Sequence, residues 1–405
     1  MKLSKNAKNA IMIGALCAVA YLAVYIARNV LGAVNPQLIE AGFTEEYIGR
    51  ISSLYFIFYA VGQLINGLIG NRIHAKYMIS LGLAQSAISN FVFSRTIANE
   101  AVAMMAYAVT GFFLAMIYAP MTKVVAENTE PVHATRCSLG YTFASLIGSP
   151  VAGVLAAMMV WKSVFDFSSA ALLLMGVACF LCFSVMERRG IVRYNQYHVP
   201  KKESKKGSLK ILLEHQIVKF SFVSILTGVV RTSVIFWLPT YISQALGFNP
   251  QQSSAIYSVA TLLIASAAFL SVFVYELLGR NMDKTLLLMF AASTLFFLGM
   301  FFVKQPFVNI ALMVLAIIGA NAAATMLWSR YCPGLRDTGM VSGATGFLDF
   351  LSYMAAAIAN LVFPSAVSVI GWNNLILVWA GLVLVGTVIS LPWRHWVPKK
   401  TQSES

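Results

Sequence analysis

The chain is written as twelve apolar stretches, each long enough to cross a bilayer, separated by polar connections. They run over 10–33, 47–70, 77–95, 101–122, 137–160, 164–186, 217–245, 253–278, 285–303, 307–328, 340–366 and 372–393. About 20 apolar residues span the hydrocarbon core as a helix, because a helix satisfies its own backbone there. Composition agrees with this reading. Only 11% of residues are charged and 59% are hydrophobic, whereas soluble domains carry about 25% charged residues. The expected fold is an all-α polytopic membrane protein with twelve transmembrane helices in two six-helix bundles. A multidomain soluble enzyme is excluded.

The basic residues set the expected orientation. Of 29 Lys and Arg, 23 fall at the termini, in the connections after even-numbered stretches, in the segment 187–216 and, with Lys219, at its border with the seventh stretch. Arg95, Lys162 and Lys304 lie on the opposite side, and Arg28, Arg50 and Arg231 fall inside stretches. Cytoplasmic loops collect positive charge, so both termini are expected in the cytoplasm of a bacterial inner (plasma) membrane. The formal charge of +14 then reflects loops beside a lipid bilayer, with no nucleic acid and no obligate protein partner implied. Residues 1–186 are expected to form the N-terminal bundle, 187–216 a cytoplasmic linker and 217–405 the C-terminal bundle. A surface helix is expected at 209–215 within the linker.

The two halves share landmarks at a fixed offset. Arg28 is followed eight residues later by Pro36, then by Gly42-Phe43. Arg231 is followed eight residues later by Pro239, then by Gly247-Phe248. The arginines and the prolines are each 203 apart, as are the pairs Gly140/Gly343 and Thr142/Thr345. Arginine inside a membrane span is rare, so its recurrence points to a parallel repeat of two bundles. That is the architecture of major facilitator transporters, whose sites lie near the midplane.

Arg28 and Arg231 carry the expected chemistry. An arginine at a helix centre costs about 2.5–3.5 kcal/mol on insertion scales and normally faces a cavity or a partner. Tyr21, Tyr25 and Arg28, at i, i+4 and i+7, share one helical face, and Ser224, Thr227 and Arg231, at i, i+3 and i+7, share another. Guanidinium forks match phosphate and carboxylate oxygens, so the pair reads as an anion clamp. The alternative is that one or both arginines pair permanently with an acid. Asp349, one turn before Tyr353, could hold an arginine in the empty site, take up a coupling proton, or simply pack.

Other chemistries lack their groups. The five histidines all fall in connections, so no metal site, cofactor or catalytic set is expected, and no P-loop is present. Cys179 and Cys182 have redox spacing but lie in a lipid-length stretch, where packing is expected. Cys332 is expected in a cytoplasmic loop. Tyr55, Phe56, Phe58 and Tyr59 are expected mainly to pack. Gly111, Gly140, Gly148 and Gly346 are expected to allow close helix approach.

The residues also resemble a family. Tyr21-x3-Tyr25-x2-Arg28 with Pro36 and Gly42-Phe43 resembles the first span of the organophosphate:phosphate antiporters within the major facilitator superfamily. Gly62-Gln63-x3-Gly67-x3-Asn71-Arg72 resembles the end of their second span and its loop. Arg231-x5-Trp237-x-Pro239-x-Tyr241 resembles their seventh span, and Gly343-x2-Gly346 their eleventh. The resemblance implies that Arg28 and Arg231 bind the phosphate group of a small anionic substrate. Tyr21, Tyr25, Gln63, Thr227, Asp349 and Tyr353 are expected to complete the site, with Gly67, Asn71 and Arg72 as a gating loop motif. The implied activity is secondary transport of a phosphorylated metabolite by alternating access, with exchange for phosphate. A proton-coupled carboxylate or sugar-acid symporter and a transporter-like anion sensor stand as alternatives.

Overall fold

The computed structural model describes residues 4–69, 73–194, 209–335 and 341–391, which contain no strand. Ten segments among them are long and apolar enough to cross a membrane. The last of these, Val341–Ser390, is two helices joined where Gly371 takes φ 74°. That left-handed conformation suits a residue without Cβ. Ala75–Thr96 adds a further 22-residue helix that is more polar than the rest. Twelve spans result, as the hydropathy predicts.

We number them α1 Lys5–Glu40, α2 Glu45–Ile69, α3 Ala75–Thr96, α4 Glu100–Asn128, α5 Pro131–Met158 and α6 Trp161–Arg188. The series continues with α7 Ile217–Gln244, α8 Pro250–Leu277, α9 Met282–Phe302, α10 Pro306–Gly334, α11 at 341–370 and α12 at 372–390. A short helix, Leu209–Glu214, precedes α7 where the linker helix is expected. The rest of the linker centre, 195–208, lies outside the described residues, as do Asn71 and Arg72. With an even number of spans both termini share one side, called here the terminus side.

Several spans are not regular. Helix α4 breaks between Leu114 and Tyr118. Pro120 then sits in the first turn of the new segment, where a missing N–H is harmless. Helices α7 and α10 each contain a π-helical segment, Val229–Val234 and Leu327–Tyr331. Cys332 is not in a loop: it continues α10 through a helical turn and is buried. Large apolar side chains such as Phe269, Phe302 and Val369 are 76%, 77% and 82% exposed. Water would penalise so much open apolar surface, and lipid would not.

The chain forms two compact units. The first holds Met1–Pro200, Ile235–Leu262 and Ala357–Ser365. Within it α1 packs along α5 and α6, α2 along α4, and α3 along α4 and α6. Polar groups in this core are matched: Asn90 Nδ2 donates to Ser168 Oγ at 2.9 Å and to Ser169 Oγ at 3.0 Å. Arg95 grips both oxygens of Asp166 at 2.8 and 2.7 Å on the far side. Lys76 pairs with Glu187 on the terminus side.

The second unit holds Lys201–Val234, Leu263–Ala356 and Ala366–Ser405. Here α10 packs on α9, on α8 and on α7. Lys219, fully buried, donates to Asp283 at 2.8 Å. Phe220 of α7 stacks on Tyr331 of α10 at 3.7 Å, and the Tyr331 hydroxyl donates to the His215 carbonyl at 2.9 Å. The start of α7 and the end of α10 are thereby fastened together.

The repeat landmarks have matched local structure. Pro36 and Pro239 both lie inside their helices. Gly42 and Gly247 both take positive φ, 94° and 78°, just beyond the helix ends. The following Phe43 and Phe248 N–H groups donate back to Leu38 and Ile242 carbonyls, as in a Schellman closure.

Candidate functional site

In the first unit, Arg28 of α1 lies under three aromatic rings. Its Cζ is 4.7 Å from the Tyr59 ring centroid, 5.4 Å from Tyr25 and 5.7 Å from Phe56. Each such contact stabilises a cation by about 0.5–2 kcal/mol, more when it is shielded from water. The rings thus offset part of the cost of placing a guanidinium among apolar helices, and a π face adds no neutralising charge. Tyr21, buried, extends the cluster one turn toward the terminus side. It meets Tyr25 at 4.9 Å, Tyr118 at 5.5 Å and Tyr141 at 6.2 Å. The Tyr141 hydroxyl lies 2.6 Å from Ser138 Oγ.

This geometry depends on one small residue. A Cβ on Gly148 of α5 would lie 2.4 Å from Tyr25 Cβ and 2.9 Å from its backbone carbon. Only glycine lets α5 approach the Tyr25 turn so closely. Gly111 does the same for α4 against the Tyr55 carbonyl, whereas Gly140 and Gly346 make no such approach.

Phe56, Tyr59, Tyr118 and Tyr141 belong to this cluster but were not expected as site residues. Phe56 and Tyr59 have i, i+3 spacing, which does mark one face of α2. Nothing in the sequence says that this face meets Arg28. Gln63, one turn beyond Tyr59, is half-buried, and Gly67 lies in the last turns of α2.

In the second unit, Arg231 sits within the π-helical segment of α7 and is half-buried. It makes no ion pair with a described residue. A π-helical turn closes i to i+5 and holds more residues than an α-turn, so Arg231 stays on the face of Thr227 four residues earlier, while Ser224, seven residues earlier, is turned partly away from it. Ser224 and Thr227 are 0% and 2% exposed. Ser224 Oγ donates to the Leu348 carbonyl of α11 at 2.6 Å, and Thr227 Oγ1 donates to Val223 of its own helix at 2.7 Å.

Asp349 and Tyr353 lie on α11. Tyr353 is buried, and Asp349 is half-buried within electrostatic reach of Cys332. At 1.5 Å per residue, Asp349 stands ~12 Å from the start of α11 and Arg231 ~21 Å from the start of α7. Both helices run from the terminus side, so Asp349 lies ~9 Å nearer that side by the same rise.

The far side of the first unit is closed by contacts between α1, α2 and α5 and the far ends of α7, α8 and α11. Asn35 Nδ2 donates to the Phe236 carbonyl at 3.3 Å, and Ser254 Oγ to the Ala33 carbonyl at 2.9 Å. Ser258 Oγ donates to the Pro150 carbonyl at 2.7 Å, and Asn360 Nδ2 to Ser52 Oγ at 2.9 Å. All these residues lie on the far side of Arg28. No group of three or more metal-ligating side chains occurs among the described residues.

The family model described as Major Facilitator Superfamily matches residues 17–352. A glycerol-3-phosphate transporter of Bacillus subtilis (strain 168) is 22% identical over 403 residues, covering 93% of this chain and 90% of its own. A membrane sensor protein UhpC of Salmonella typhimurium is 21% identical, covering 94% and 91%. Among solved structures, a D-xylose–proton symporter superposes with a TM-score of 0.74 at 12% identity, covering 96% and 98%. The nucleoside transporter NupG superposes with a TM-score of 0.71 at 13% identity, covering 94% and 98%.

Proposed function

The chain belongs to the major facilitator superfamily and is a secondary transporter in the membrane, and we propose that it carries a small organic anion, a phosphorylated metabolite. Arg28 and Arg231 bind its anionic group, and the two bundles alternate access to it. The observation that carries this reading is the recurrence of an intramembrane arginine at the matched place in each repeat. Arg28 in its aromatic setting supports it further, because Tyr21, Tyr25 and Tyr59 can add hydroxyl donors to a phosphate oxygen. Relatives whose names include a glycerol-3-phosphate transporter lend the phosphate class its weight. A screen of purified protein by thermal shift tests it. Phosphate and organophosphates should raise the apparent melting temperature by mass action, and stabilisation by neutral sugars alone would contradict it.

A second reading comes from the relatives named as membrane sensor proteins. A sensor would bind the same anion yet move none of it. Flux of a stabilising ligand into proteoliposomes separates the two.

Orientation follows the positive-inside rule in this proposal, with both termini and residues 187–216 in the cytoplasm of a bacterial inner membrane. Single cysteines replacing Lys202 and Asn249 in a cysteine-free background should label from opposite sides. Labelling from one side would overturn it.

Asp349 is proposed to carry the coupling proton if transport is driven by pH. Asp349→Asn should then abolish accumulation driven by a pH gradient while preserving exchange. Accumulation that survives the substitution would assign Asp349 to arginine pairing or packing instead.

A further inference from the structure

We infer that Asn321 of α10, with Thr325 one turn on, recognises a hydroxyl group on the organic part of the substrate. This rests on the proposed phosphate-class reading and extends it from the anionic group to the rest of the cargo.

Several observations converge on Asn321. Helix α10 is tightly packed from Ala316 to Ala324, and Asn321 is the one residue in that run left half-open. It points away from the apolar side that α10 shows to lipid. Near its own depth Leu315, 42% exposed, marks that side, and at 3.6 residues per turn Asn321 lies roughly 120° round the helix from it. Thr325 follows on the same face, its hydroxyl donating to the Asn321 carbonyl at 2.9 Å.

The depth also matches. Arg231 lies ~21 Å from the start of α7, and Asn321 ~20 Å from the end of α10. Those two ends are fastened by the Phe220–Tyr331 stack and the Tyr331–His215 hydrogen bond. Helix α10 moreover packs against the π-helical segment that bears Arg231. The amide is thus level with the arginine, on its neighbouring helix and within one unit.

Finally, Asn321 Oδ1 is buried and has no hydrogen-bond partner among the described residues. An amide oxygen stripped of water and left unpaired is unfavourable, and a donor placed there removes the penalty. The phosphate group, with any P–OH it carries, is engaged by the arginines in this reading, so the donor comes from the rest of the cargo. A carbon-borne hydroxyl on a phosphate ester supplies it and inorganic phosphate has none, so the side chain distinguishes the two. Sites built to hydrogen-bond a substrate hydroxyl discriminate against analogues that lack it.

The test compares glycerol 3-phosphate with inorganic phosphate, measured by equilibrium binding to the purified full-length protein. Asn321→Leu should lower the ratio of their affinities, glycerol 3-phosphate over phosphate, by roughly three- to tenfold, the range expected for one net hydrogen bond. General damage to the site would weaken both ligands in step and leave the ratio unmoved, which would overturn the role of Asn321. Asn321→Ala serves the same comparison should the leucine variant not fold. If the unsubstituted protein binds neither compound, the phosphate reading fails and this assignment fails with it. If it binds both and neither variant shifts the ratio, the assignment alone fails.

Discussion

Replacing Arg28 or Arg231 by lysine should all but eliminate binding of the anion while leaving the protein folded and in the membrane. Lysine keeps the charge but loses the planar fork that engages two oxygens at once. Removing one partner from a desolvated, charge-assisted contact costs about 2–5 kcal/mol, or roughly 30- to 4,000-fold in affinity. The two arginines act on one ligand in this account, so their losses should not add. The double variant should bind little worse than either single one. Equilibrium binding with phosphate checks this, with monodisperse elution as the control for folding. Near-normal affinity in either lysine variant would remove that arginine from the site.

The second large effect concerns closure of the far side. A Cβ on Gly49 of α2 would lie 2.5 Å from the Asn360 carbonyl oxygen and 2.9 Å from Pro364 Cγ of α11. A bulky residue there cannot coexist with the Asn360–Ser52 hydrogen bond alongside it. Overpacking costs about 1–3 kcal/mol, which would shift the balance between closed and open far sides by about 5- to 150-fold. Gly49→Leu should therefore slow transport by about that factor while equilibrium binding persists. An unaltered transport rate in the variant would mean that this contact plays no part in the cycle.

The spans were legible because lipid imposes a length and a composition that local sequence cannot hide. The repeat was legible because Arg28 and Arg231 are conspicuous in apolar helices and carry Pro36/Pro239 and Gly42/Gly247 with them. Residues that depend on packing were not. Phe56 and Tyr59 read as core aromatics, since spacing fixes their shared face but not the neighbour that face meets. The π-helical segment at Val229–Val234, which no local residue announces, turns Ser224 partly away from the face that α-helical spacing would have it share with Arg231. Cys332 fell in an expected loop because the tenth apolar stretch reads as ending at 328, with Pro333 and Gly334 beyond it. Proline is tolerated in a first helical turn, and the chain there is helical and buried.

Counterflow in proteoliposomes tests the central claim most directly. Vesicles loaded with inorganic phosphate should take up labelled glycerol 3-phosphate or a hexose phosphate, and Arg28→Lys and Arg231→Lys vesicles should not. Uptake of a neutral sugar with no organophosphate flux, or organophosphate uptake undiminished in both lysine variants, would contradict the account.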